Sequence, residues 1–133
     1  MNTPDRGSLS VMLMLVVIIA LGGAALIVDG GRAMTARRHA ANTAEAAARS
    51  AIADQSLTRG FDPDRAIEVA HSYATRAGVD VADVDILVRT SVTGHSEIVV
   101  TITERRRAVF VALGGVDTFT VRATGAATFV YGT

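Results

Sequence analysis

SLSVMLMLVVIIALGGAALIV, residues 8–28, decides the fold. These 21 residues hold no charge, proline, asparagine or glutamine. At about 1.5 Å per residue, a helix of this length is about 31 Å long, close to a hydrocarbon core of ~30 Å. The segment therefore reads as a single membrane-spanning helix. The competing reading is a secretory signal peptide, and alanines that could form an A-x-A cleavage site do follow. Against it, the run exceeds the roughly 7–15 apolar residues of a signal-peptide core, and the basic region ahead of it is thin. The expectation is a retained anchor. Gly22 and Gly23 are tolerated in membrane helices and permit close helix approach.

Working outward, residues 1–7 form a short polar leader. On the other side, Asp29-Gly30-Gly31-Arg32 ends the uncharged run. A glycine pair can cap a helix, but strong helix formers resume at once. Asp29 and Arg32 stand three apart and could pair on one helix face. That pair reads either as a docking or register point for neighbouring subunits, or as a weak interfacial charge pair. Residues 33–56 contain ten alanines and no glycine or proline, so residues 29–56 are expected to extend the helix. Ala33, Ala36, Ala40, Ala44, Ala47 and Ala51 recur every three or four positions. Such spacing places a seam of small side chains on one face, where another helix can come close. The plainer alternative is a helical spacer whose alanines reflect propensity alone.

Residues 57–133 read as a small module outside the bilayer. A break surrounds Gly60, and Asp62-Pro63 has the form of an N-cap followed by proline at the first helical position. A helix is expected from about Pro63 to Ala77, closed by Gly78. Past Gly78 the apolar period changes to two. Val84 to Arg89 and Glu97 to Thr103 are strand candidates joined by a turn at Ser91 to Ser96. Arg107 to Leu113 is ambiguous, with a short helix ending at Gly114-Gly115 as one reading. Phe119 to Val130 contains a third strand. The fold class is thus α+β: a long N-terminal helix with its Ala-rich extension, a second short helix and an antiparallel sheet of about three strands. A module of about 75 residues is marginal alone, so packing on the long helix would help it.

The composition argues against several functions. Zero formal net charge gives no electrostatic case for nucleic acid. With no cysteine, disulfides, zinc-thiolate sites and cysteine nucleophiles are excluded. His39, His71 and His95 lack ligand spacing, and Asp80, Asp83 and Asp85 lack the spacing and glycine of a calcium loop. Ser8, Ser10 and Ser50 have no His/Asp constellation near them in sequence, and Gly114-Gly115 lacks the Lys-Ser/Thr of a phosphate loop. No enzyme, metal or cofactor is expected. Arg105-Arg106-Arg107 reads as a solvated strand end or as a contact for anionic lipid or an acidic partner face.

The order of these pieces resembles a known family. Asp5-Arg6-Gly7-Ser8 leads into the apolar helix, Val28-Asp29-Gly30-Gly31-Arg32 closes it, and Ala40-Ala41-Asn42-Thr43-Ala44-Glu45-Ala46-Ala47-Ala48 follows. This pattern resembles the TadE/TadG-like proteins of the tight-adherence (Flp) pilus system, most strongly over residues 5–53. The resemblance implies an accessory or minor pilin-like subunit, anchored in the cytoplasmic membrane with its C-terminal domain outside. It implies as partners the lipid bilayer, other pilin-like subunits, and the assembly platform proteins with their secretion ATPase. Some members are cut by a prepilin peptidase just after a glycine, which here falls between Gly7 and Ser8. Pilins processed in this way usually carry a glutamate at the fifth mature position. Here that position is Met12, and no carboxylate lies anywhere in residues 8–28. The departure weakens both cleavage and fibre building and favours an accessory role.

Charge alone would orient the chain the other way. Arg32, Arg37 and Arg38 outweigh Asp29 on the C-terminal flank, and the positive-inside rule then favours that flank inside. Long domains translocate despite such charges, so the orientation implied by the resemblance is preferred. The alternative function is a membrane-anchored extracytoplasmic binding or sensing module unrelated to pili. A tethered hydrolase ranks last, for want of a catalytic constellation.

Overall fold

The computed structural model describes residues 6–56, 58–109, 112, 115 and 117–130. The element α1 runs from Arg6 to Ala53 as one helix of 48 residues, about 72 Å long. Gly30 and Gly31 do not cap it. Each glycine costs an isolated helix about 1 kcal/mol, but uninterrupted helix formers on both sides keep the pair helical. The apolar half is bare. Fourteen large apolar residues from Leu9 to Val28 are exposed. Its most apolar stretch has a mean hydropathy of 3.0, none of it buried, so α1 is long and apolar enough to cross a membrane. At about 1.5–3 kcal/mol for each such side chain, leaving them in water forfeits roughly 20 kcal/mol or more. That exceeds the ~5–15 kcal/mol that stabilises a whole domain, so this half requires a non-aqueous cover.

The other half of α1 carries the module. The element α2 spans Pro63–Arg76. Asp62 caps it by accepting from the backbone N–H groups of Asp64 and Arg65, at 3.1 and 3.2 Å. Ala66, Ala70 and Ala74, four apart, are its buried stripe. A 3₁₀ turn at Val81–Asp83 then leads into β1 (Val84–Thr90), β2 (Ser96–Arg107) and β3 (Thr118–Phe129). The three form an antiparallel sheet in that order. The α+β class expected from the sequence is the class observed. β2 runs four residues past its expected end at Thr103, because β3 stays paired with it to Arg107↔Thr118. Arg107 is therefore strand. Phe110, Val111, Leu113 and Gly114, part of the suggested short helix, lie outside the described residues.

The core is a layer of small side chains between α1 and the sheet. Ala40, Ala44, Ala47, Ala48 and Ala51 of α1 join Ala66, Ala70 and Ala74 of α2 and Val84, Ile98, Val100 and Ile102 of the sheet. Large residues come from β2, and their β3 partners are small: Ile98↔Ala127, Val100↔Gly125 and Ile102↔Ala123. The reason is the helix. A Cβ on Gly125 would lie 2.5 Å from the Ala44 carbonyl carbon and 2.5 Å from the Glu45 Cα, far inside van der Waals contact. Gly125 is required for space, so that α1 can lie directly on β3. At the far end, Phe61 and Phe129 close the core with ring centroids 5.9 Å apart.

Gly125→Ala is therefore expected to destabilise the module by about 1–3 kcal/mol or more, since backbone cannot rotate out of the way. Gly30→Ala, where the added Cβ meets open space, is expected to be neutral or slightly stabilising. Hydrogen exchange of β3 amides in the detergent-solubilised protein distinguishes the two. Equal protection in both variants would refute the close contact.

Candidate functional site: the junction where the apolar helix meets the module

The bare and covered halves of α1 meet at Asp29. This residue follows the apolar run directly, yet it is 6% exposed. Its Oδ1 accepts a hydrogen bond at 3.1 Å from the backbone N–H of Val109, 80 positions along the chain. Among the described residues no ion pair joins Asp29 to Arg32, although local spacing would allow one. The carboxylate is directed into the fold instead, where it holds the segment after β2 against the helix. Ala108, next to that segment, donates its N–H to the Asp117 carbonyl at 3.0 Å.

Ten residues further along α1, a second contact ties helix to strand. The inward alternation Ile98, Val100, Ile102 continues to Glu104, which is 8% exposed. His39 Nδ1 donates to Glu104 Oε1 at 2.5 Å. Arg106 donates to Oε2 through Nη2 at 2.7 Å and Nε at 3.1 Å. Burial pushes the Glu104 carboxyl up, but the hydrogen bonds from His39 and Arg106 outweigh it and hold the group below the usual glutamate range. Asp29 and Glu104 thus fasten the end of the sheet nearest the apolar half of the helix to α1 at two levels.

Between these contacts lies a half-open groove of about 680 Å³, lined by Ile27, Val28, Gly31, Arg32, Thr35, Ala36, His39, Arg106 and Arg107. Its helix side follows a single face, Val28, Arg32, Thr35 and His39, three or four residues apart.

The other residues singled out in the sequence fall as follows. Gly7 and Ser8 lie in the first turns of α1 and are exposed. Gly30 and Arg32 are exposed helical residues, and Ala33 is half-buried. Ala36, Ala40, Ala44, Ala47 and Ala51 are buried, the last four with no exposed surface. Ala40, Ala44, Ala47 and Ala51 pack in the core with the chain's own sheet and second helix, while Ala36 lines the groove. The arginine run is divided: Arg105 pairs with Asp83 at 2.5 Å, Arg106 with Glu104, and Arg107 faces the groove. Asp80 caps the 3₁₀ turn by accepting from the Ala82 N–H. Among the described residues, no three His, Asp or Glu side chains converge as metal ligands.

Glu104→Gln is expected to cost about 1–2 kcal/mol, because a nearly buried acceptor loses its charge while its partners remain half-exposed. The pH dependence has a definite sign. The folded-state value lies below the ordinary value of about 4.5, so the contribution is complete above that value and is lost as pH falls through the folded-state value. Melting temperatures of wild type and Glu104→Gln should converge on acidification below about pH 4.5. A constant difference across the acid range would contradict the role given to the carboxylate.

No curated protein and no solved structure matches the chain. Residues 7–55, nearly the whole of α1 with the two residues after it, match the family model described as "Putative Flp pilus-assembly TadE/G-like", the family that the order of motifs along this helix resembles.

Proposed function

We propose that this chain is a membrane-anchored, pilin-like accessory subunit of a tight-adherence pilus-assembly system, acting as a structural component rather than an enzyme. The observation that carries the reading is the division of α1. One half is bare and apolar, and the other half is covered by an α+β module through a small-residue interface. The family match covers the same helix. In this reading residues 8–28 span the cytoplasmic membrane, residues 29–56 lift the module clear of it, and residues 57–133 present the outer surface. The lack of any carboxylate in residues 8–28 favours an accessory place over a repeating position in the fibre.

Contacts with neighbouring subunits then fall to the bare half of α1, since its alanine face is occupied within the chain. Gly22 and Gly23 have open space around them, and in lipid such small residues let a second helix approach closely. Gly22→Leu with Gly23→Leu is expected to weaken crosslinking to pilin-like neighbours while leaving membrane insertion intact. Unchanged crosslinks would place the contacts elsewhere.

Two measurements test the reading. Detergent extracts should yield the chain together with the secretion ATPase and platform proteins of the pilus system. Isolation without them, with a soluble ligand bound instead, would favour a membrane-anchored binding or sensing module. Intact mass of the membrane-purified protein decides processing. A start at Ser8 identifies peptidase cleavage after Gly7, and a start at Met1 a permanent anchor. A start beyond Ala33 contradicts a retained helix.

A further inference from the structure

The junction carries more positive charge than the fold uses. Arg32, Arg106 and Arg107 line the groove, and among the described residues no carboxylate lines it. The two buried carboxylates beside it are turned inward, Asp29 to the Val109 N–H and Glu104 to His39 and Arg106, and Asp83 in the neighbouring cleft pairs with Arg105. Among the described residues, neither Arg32 nor Arg107 makes an ion pair, and both line the groove. The groove is amphipathic along its length. Its lower part is Ile27 and Val28, continuous with the bare apolar segment, and its upper part carries the guanidinium groups. If residues 8–28 lie in the hydrocarbon, Arg32 stands one helical turn above Val28, at headgroup depth.

We infer that this groove binds the headgroup phosphate of an anionic phospholipid, with an acyl chain against Ile27 and Val28 and the phosphate between Arg32 and Arg107. Guanidinium forks match phosphate oxygens in geometry as well as charge. The net positive balance selects an anionic lipid over a zwitterionic one. The bound lipid would sit against the Asp29 and Glu104 contacts and so fix the height and tilt of the module over the membrane. This inference rests on the reading of α1 as a membrane anchor.

The test uses the full chain reconstituted in vesicles of phosphatidylcholine alone, or of equal parts phosphatidylcholine and phosphatidylglycerol. Flotation with the phosphatidylcholine vesicles reads insertion. Failure to float would overturn the anchor and the inference with it. Lipid retained after mild detergent extraction, measured by native mass spectrometry, reads the groove. Wild type should enrich phosphatidylglycerol over phosphatidylcholine. Arg32→Gln and Arg107→Gln should each lower that enrichment about fivefold, and together about 25-fold, from the attraction of one surface arginine for anionic lipid. The double lysine variant, Arg32→Lys with Arg107→Lys, should keep most of it, which separates loss of charge from loss of fold. Arg89→Gln, at the opposite end of the sheet and paired with Glu97, should change nothing. Equal retention of the two lipids by wild type, or undiminished enrichment in the double glutamine variant, would overturn the inference. So would displacement of the lipid by excess inorganic phosphate, which would mark a site for a soluble anion.

Discussion

Everything outside the bare half of α1 depends on the contact between the helix and β3. Gly125 lets the helix backbone at Ala44 and Glu45 rest on the strand with no side chain between them. Small residues on both sides follow from that closeness, alanines on α1 and Ala123, Gly125 and Ala127 on β3. The largest fully buried side chains, Ile98, Val100 and Ile102, are supplied by β2, one strand away from the point of closest approach. A small core of this kind buries little area per residue. Its stability rests on tight packing, in which one added methyl group is felt at once.

That contact also explains how the helix divides its labour. The length of α1 covered by the sheet ends where Asp29 and Glu104 fasten the strand end to it. Below this level no other described element shields the apolar side chains. The two buried carboxylates mark the boundary because each meets a donor from the other side of the interface, a backbone N–H for Asp29 and an imidazole and a guanidinium for Glu104. An unpartnered carboxylate at such depth would be costly. A helix covered on one half and bare and apolar on the other suits a chain anchored in a membrane.

Much of this was legible in the sequence, for local reasons. The uncharged run of residues 8–28, the Asp62-Pro63 cap and the period of two in Glu97 to Thr103 each depend on neighbours within a few residues. The alanine spacing revealed a packing face, but spacing cannot say what covers it, and the cover is the chain's own sheet and second helix. Asp29 looked like a partner for Arg32 because the two are three apart, whereas it accepts a hydrogen bond from a residue 80 positions away. Glu104 was hidden in a run of charges that reads as a strand end. The signal was present all the same, since Glu104 continues the inward positions 98, 100 and 102. Gly125 lies in a strand where glycine reads only as a weak point, and its meaning emerges once the helix is laid across it.

The most direct test of the account is a spin-label scan along α1 in lipid nanodiscs. The chain has no cysteine, so each introduced cysteine carries the only label. The account predicts one helical period of accessibility, unbroken through Gly30 and Gly31. Residues 8–28 should be open to oxygen and closed to aqueous reagents. From Asp29 onward aqueous access should alternate with protection, with the minima at Ala36, Ala40, Ala44, Ala47 and Ala51. Aqueous access within residues 8–28, or a break in the period at Gly30 and Gly31, would contradict a single helix that joins a membrane anchor to its module.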